Sequence, residues 1–178
     1  MIRLVAVVGS PTPGGRTRAA IEYCLAAALD GGETDGEIHE LAQAATEPVI
    51  DALRLADGVL IGTPMYRGSY TGLLKTFLDA VPTEALEGKP VALIGTGGSA
   101  HHYLALDRDL RGVLAWFNAV VLPGATYLVP PDFEGGKVSS AEAMDSMVRL
   151  GRLLADLAVR LRGAPPPPLA LQSRDKRP

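Results

Sequence analysis

Three stretches of this sequence gather the residue types that handle ligands: Gly9 to Arg18, Thr63 to Gly72, and Gly95 to His102. The first reads Gly9-Ser10-Pro11-Thr12-Pro13-Gly14-Gly15-Arg16-Thr17-Arg18 and lies between a predicted strand and a predicted helix. A helix start leaves backbone amides unpaired and carries the positive end of the dipole, so a phosphate there gains hydrogen bonds and electrostatic stabilisation together. Ser10, Thr12 and Thr17 add hydroxyl donors, and Arg16 adds a fork of charged ones. A nucleoside-triphosphate loop requires Gly-Lys-Ser/Thr, and Gly15-Arg16-Thr17 lacks the lysine. A dinucleotide loop requires a third glycine where Ala or Thr stands here, and Glu37 and Glu40 match its ribose-binding acid only at a stretched spacing. A monophosphate fits best. Taken alone, the loop reads equally well as a Gly/Pro-rich turn capped by Thr17.

The second stretch, Thr63-Pro64-Met65-Tyr66-Arg67-Gly68-Ser69-Tyr70-Thr71-Gly72, leads into Leu73-Leu74-Lys75-Thr76-Phe77-Leu78-Asp79. Aromatic faces and exposed amides suit a flat ring with a polar edge, and Arg67 can meet a phosphate or carboxylate of a second substrate. The alternative makes Tyr70 part of the next helix cap and Tyr66 a surface aromatic. In the third stretch the glycines allow close backbone approach to a ligand, and Thr96 and Ser99 can donate to ring carbonyls. The adjacent His101 and His102 have no third histidine or carboxylate at ligand spacing, so no metal is expected. His101 fits a helix N-cap neighbourhood; His102 fits a hydrogen-bonding or positioning role, or a structural one. No hydrolase arrangement emerges, because Gly97-Gly98-Ser99-Ala100-His101 lacks the glycine that completes a nucleophile elbow. Asp79, Asp107 and Asp109 fall on predicted helices as solvated or capping carboxylates. Cys24, among Ile21, Leu25 and Ala28, reads as a buried, inert thiol.

The elements that must position these loops follow from hydrophobic periodicity. Leu4 to Val8, Val59 to Ile61, Val91 to Ile94 and Val120 to Leu122 are continuously apolar and β-branched, as in parallel strands buried on both faces, and Glu37 to Leu41 is a more polar edge strand. Helical spacing spans Ala19 to Leu29, Val49 to Leu55, Leu73 to Val81, Leu104 to Phe117 and Met144 to Leu161. Five βα units joined by right-handed crossovers predict an α/β, flavodoxin-like three-layer αβα sandwich with a five-stranded parallel sheet in the order 2-1-3-4-5. Ligands in such sheets bind beyond the carboxyl ends of the strands, which is where the three loops fall.

Composition bounds the rest. With 178 residues, 47% hydrophobic and 21% charged, the chain suits one domain, expected over 1–162. The Pro-rich tail 163–178 is expected to be extended or disordered. A net charge of -3 gives little attraction to nucleic acid or an anionic membrane. One cysteine excludes an internal disulfide framework and fits a reducing compartment. The apolar run from Met1 to Val8 breaks at Gly9-Ser10-Pro11, so it reads as a strand rather than a signal peptide, and no run approaches the roughly 18 apolar residues of a membrane span. A soluble, cytoplasmic protein is expected.

Together the motifs Gly-Ser-Pro followed by Arg16-Thr17, the run from Thr63 to Asp79, and Thr96-Gly97-Gly98-Ser99-Ala100-His101-His102 resemble the NAD(P)H-dependent FMN reductase family of the flavodoxin-like superfamily, particularly the reductase components of alkanesulfonate monooxygenase systems. The similarity covers about residues 2 to 128. It implies that Ser10, Arg16, Thr17 and Arg18 hold the FMN phosphate, with Thr12 joining them on the hydroxyl chemistry of the loop alone, that Pro64, Met65, Tyr66 and Arg67 line the isoalloxazine ring, and that Thr96, Gly97, Gly98 and Ser99 bind its opposite edge; His102 matches a family histidine. The implied chemistry is hydride transfer from C4 of NAD(P)H to N5 of FMN, supplied by the cofactors, with no catalytic acid required. The resemblance further implies a homodimer or homotetramer built through the helices at Leu73 to Val81 and Leu104 to Phe117, and a flavin-dependent monooxygenase as partner. Departures are Thr12, where an arginine is common, and Arg108, where some sulfonate-linked reductases insert an aromatic residue tied to handling FMN as a diffusible substrate; the latter points to FMN as a bound prosthetic group. The rival readings are a quinone, azo or metal-ion reductase on the same scaffold, and a non-enzymatic flavodoxin-type electron carrier.

Overall fold

The computed structural model describes residues 1–32 and 34–168. In chain order the elements are β1 (Ile2–Val8), α1 (Arg16–Leu29), β2 (Thr34–Glu40), α2 (Thr46–Leu55), β3 (Gly58–Pro64), α3 (Gly72–Ala80), β4 (Pro90–Thr96), a π-helical turn (Leu106–Leu110) running into α4 (Arg111–Ala115), β5 (Val120–Val121), β6 (Thr126–Leu128), β7 (Phe133–Glu134), β8 (Lys137–Val138) and α5 (Ala141–Leu161). The main sheet is parallel in the order β2-β1-β3-β4-β5, with β6 also paired to β4. This is the expected α/β topology. Every residue of β3 and β4 is buried, as continuous apolar runs require when helices cover both faces. One core joins alternate residues of β1, β3 and β4 to α2, α3 and α4; the other joins the remaining residues to α1 and α5.

Three local features differ from the periodicity. The fifth strand is split: β5 pairs with Pro90 and Val91, whereas β6 pairs with Ile94 to Thr96. Pro123, which has no N–H to donate, and Gly124, at φ 73, interrupt the ladder between them. The fourth helix, expected from Leu104 to Phe117, opens as a π-turn and is α-helical only over Arg111–Ala115. Leu106, Leu110 and Leu114 are fully buried. Steps of four in a pure α-helix overshoot a circle by about 40° each, and a wider turn between them keeps the three side chains on one line. Finally, β7 and β8 form a hairpin around Gly135 and Gly136, both at positive φ; two-residue strands are too short to produce a periodic signal.

The long helix α5 is capped by Ser140, whose Oγ accepts from Ala143 N at 3.2 Å and donates to Asp132 Oδ1 at 2.7 Å. It crosses α1 where Gly151 allows backbone contact, a Cβ there falling 2.3 Å from the Cys24 carbonyl oxygen. Residues 164–168 are neither helix nor strand, and Asn118 Nδ2 donates to Pro167 O at 2.5 Å. The rest of the expected tail, 169–178, lies outside the described residues. Among those described, no helix is long and apolar enough to cross a membrane.

Candidate functional site

The carboxyl ends of β1, β3 and β4 bring the three loops together, and hydrogen bonds between the loops fix them there. Gly9 N donates to Gly62 O at 2.7 Å, and Met65 N donates to Thr96 O at 2.7 Å. Thr71, the N-cap of α3, accepts from Leu74 N at 3.1 Å and donates to Gly9 O at 2.6 Å. The buried hydroxyls of Thr17 and Thr96 lie 2.7 Å apart and join the first loop to the third. Thr17 is therefore not the helix cap, and neither is Tyr70, which packs half-buried against the core. Between the loops is a cleft of about 440 Å³ lined by Ser10, Thr12, Gly15, Arg16, Thr17, Pro64, Met65, Tyr66, Thr96, Gly97 and Gly98. That volume suits a small-molecule or cofactor site.

One end of the cleft is the start of α1. The N-cap is Gly15, and no side chain caps the first turn, so its orphan amides lie beside the cleft without the acceptor a Ser or Asp cap would supply. The Ser10 hydroxyl is buried, donates to Thr12 O at 3.0 Å and accepts from Thr12 N at 3.2 Å, which curls the loop. Arg16 is exposed, forms no ion pair among the described residues, and sits 5.8 Å above the Phe133 ring centroid. Arg18 differs. It pairs with Glu22 at 2.7 Å and with Glu40 at 3.1 Å, and Glu40 also accepts from Gly14 N at 3.0 Å. Arg18 thus braces the loop from behind rather than lining the cleft.

The other end is built from a reverse turn. Tyr66 and Ser69 exchange backbone hydrogen bonds of 2.9 and 3.2 Å across Arg67 and Gly68, at φ 55 and 83. Two consecutive positive φ values define the tight hairpin turn for which glycine is favoured at the second position. The π-turn holds this hairpin: Arg108 donates to Gly68 O at 3.1 Å and to Asp109 at 2.6 Å. The Arg108 guanidinium, and then a hydrogen bond from Ser69, hold the Asp109 carboxyl below the usual carboxylate range. Met65 is buried and Tyr66 is 52% exposed. Arg67, Ser99 and His102 stand outside the cleft wall; His102 lies behind the turn, with Cε1 3.7 Å from where a Gly68 Cβ would sit. His101 Nδ1 is 3.3 Å from Ser99 Oγ.

Beneath the third loop lies Tyr127 on β6. A Cβ on Gly97 would fall 1.8 Å from its Oη, and one on Gly95 would fall 2.8 Å from its Cδ2; the hydroxyl donates to Ser99 O at 3.2 Å. Burial pushes its phenol pKa up. Tyr127 and Phe133, to which the sequence pattern assigns nothing, shape the site, as do Glu40, which braces the first loop instead of meeting a ribose, and Asp109, which pairs with Arg108 instead of being a solvated or capping carboxylate. The alternation Gly95-Thr96-Gly97 was the available signal for Tyr127, because glycines on one face of a strand end imply that something bulky covers them. No comparable signal marked the others.

Comparison with known proteins follows the same lines. Residues 2–134 match the family described as NADPH-dependent FMN reductase. An FMN reductase (NADPH) of Pseudomonas aeruginosa is 39% identical over 61% of this chain and 58% of its own length, so the chain spans under three fifths of that relative. The NADH-dependent FMN reductase SfnE of Pseudomonas putida is 34% identical over 92% of this chain and 94% of its own. Among solved structures, the apo form of the NADH:FMN oxidoreductase EMOB superposes with a TM-score of 0.80 at 29% identity, covering 93% of this chain and 92% of that one.

Proposed function

The chain belongs to the NADPH-dependent FMN reductase family, and from that membership we propose that it is an oxidoreductase transferring hydride from NAD(P)H to FMN. The observation that carries the reading is the single cleft with an uncapped helix start at one end and the Met65–Tyr66 and Gly97–Gly98 walls at the other. In this proposal Ser10, Thr12, Arg16 and Thr17 hold the phosphate, with Arg18 stiffening the loop through Glu40. Pro64, Met65 and Tyr66 line one side of the ring and Thr96, Gly97 and Gly98 the opposite edge; Arg67 and Ser99, next to those walls in the chain, complete the two sides once the ring is bound, and His102 stands beside the turn at Gly68. Bound FMN supplies the hydride acceptor. The protein's own contribution is alignment: the turn at Tyr66 and the loop at Gly97 are each fixed from outside, by Arg108–Asp109 and by Tyr127, so the rings meet in a preformed slot.

Anaerobic stopped-flow mixing of the flavin-loaded protein with NADPH or NADH tests this. Rapid loss of oxidised-flavin absorbance supports the reductase. Failure with both nicotinamides sinks it, and fast reduction only by a partner protein identifies an electron carrier instead. Comparing FMN with quinone, azo and ferric acceptors at fixed NADPH separates the rival reductases.

The proposal extends to a cytoplasmic enzyme, residues 1–162 forming its FMN-binding unit, whose reduced flavin serves a flavin-dependent monooxygenase. It also extends to a homodimer or homotetramer through α3 and the segment from Leu104 to Phe117. On the second of these segments Leu104 is 55% and Trp116 80% exposed, apolar side chains that a partner copy would cover.

A further inference from the structure

Arg16 and Arg18 are two residues apart at the start of α1, yet their environments are opposite. Arg18 is held by two carboxylates, Glu22 and Glu40. Arg16 has no ion-pair partner among the described residues and instead lies with its guanidinium carbon 5.8 Å from the Phe133 ring centroid. A guanidinium over an aromatic face is attracted by the ring quadrupole, and it leaves its in-plane N–H donors free for an anion.

The ring itself is fixed. Phe133 opens β7, pairs with Val138 across the hairpin, and packs on the core shared by α1 and α5. The neighbouring Asp132 ties that hairpin down, accepting from Val129 N at 2.8 Å and from Ser140 Oγ at 2.7 Å, while its carbonyl accepts from Ser139 N at 2.8 Å. A long side chain drawn to a ring that packs on the core loses less conformational freedom when it grips a ligand than one left in solvent.

We propose that Phe133 is a positioning residue for Arg16, and through it sets the preference of the site for phosphorylated flavin over riboflavin. The inference rests on the reading that FMN phosphate binds at the start of α1. It reaches beyond that reading in assigning a phosphate-recognition role to a residue that does not line the cleft.

The test is fluorescence titration of FMN and riboflavin against wild type, Phe133→Leu, Phe133→Trp, Arg16→Gln and the Phe133→Leu/Arg16→Gln pair, with thermal melts confirming that each folds. Phe133→Leu should weaken FMN roughly two- to fivefold and leave riboflavin unchanged. Phe133→Trp, which keeps a π-face, should retain wild-type selectivity; a folded Phe133→Trp protein that loses its preference for FMN over riboflavin overturns the proposal even if the leucine variant does not fold. In the Arg16→Gln background, Phe133→Leu should have no further effect on FMN. Equal weakening of both flavins, or the same loss with Arg16 already replaced, overturns the proposal and assigns Phe133 a packing role. Selectivity lost in Arg16→Gln but intact in Phe133→Leu overturns the proposal alone. A wild type that binds riboflavin as tightly as FMN overturns the phosphate reading with it.

Discussion

Replacing Gly97 by alanine adds one methyl group where the structure has no room for it. The new Cβ would stand 1.8 Å from Tyr127 Oη and 2.7 Å from Cζ, far inside van der Waals contact. The ring cannot simply slide along the strand end, because it also covers Gly95, where a Cβ would fall 2.8 Å from Cδ2. Relief therefore requires breaking the bond from the Tyr127 hydroxyl to Ser99 O, about 1 kcal/mol, and displacing a packed ring, about 1–3 kcal/mol. For a chain of this size those losses lower Tm by roughly 5–15 °C. The displaced loop should also weaken FMN binding by about tenfold or more, some 1.4 kcal/mol. Gly98 is the matched control: nothing lies within 4 Å of a Cβ there, so Gly98→Ala should leave Tm unchanged and report only on how closely the ligand approaches. Adding Gly97→Ala to a Tyr127→Leu protein should cost under about 1 kcal/mol, since the obstructing hydroxyl and ring are gone. Differential scanning fluorimetry and flavin titration read both quantities. A Gly97→Ala protein with wild-type Tm and FMN affinity would refute the assignment of Tyr127 as the support of the third loop.

Gly151→Ala pushes α5 off α1, because its Cβ would sit 2.3 Å from Cys24 O and 3.1 Å from Ala28 N, both backbone atoms; urea unfolding should show a loss of about 1–3 kcal/mol. Thr96→Val leaves the buried Thr17 hydroxyl without its 2.7 Å partner and should destabilise the flavin-free protein by about 1–3 kcal/mol, whereas Thr17→Val/Thr96→Val should be nearly neutral. Burial pushes the Cys24 thiol from its ordinary 9.0 up to about 12. The unfolded thiol ionises first, so this contribution to stability is complete below pH 9 and declines as pH rises towards 12. Cys24→Ala should remove that share of the alkaline loss, and iodoacetamide should label Cys24 only in denaturant. Equal alkaline slopes in both proteins would contradict the assignment.

How much of this was legible differs from element to element. The strands at Leu4, Val59 and Val91 were placed because doubly covered parallel strands leave an unbroken apolar run, and each extends by only a few residues at either end in the structure. The fifth strand was half legible: its first part announced itself through Val120 to Leu122, whereas β6 is three residues beyond a Pro-Gly break and had no pattern of its own. The fourth helix shows the limit of periodicity, since burial every four residues reads the same whether the backbone winds as α throughout or opens through a π-turn. Hydroxyls, glycines and aromatics next to strand ends marked the loops, but not which arginine lacks an ion pair among the described residues.

The sheet order and the placement of the three loops at strand ends were legible in the chain alone, because both follow from local chemistry: apolar runs, helical spacing, and turn residues at strand ends. Tertiary structure decided the division of labour inside those loops. Arg16 and Arg18 are equivalent in sequence; Glu40 on β2 and Phe133 on β7 make one a brace and leave the other for a ligand. Likewise Gly97 is constrained and Gly98 is not, because only the first faces Tyr127. Such distinctions rest on contacts between residues far apart in the chain; the alternation Gly95-Thr96-Gly97 shows that something bulky covers that face without naming it, and no local pattern separates the two arginines.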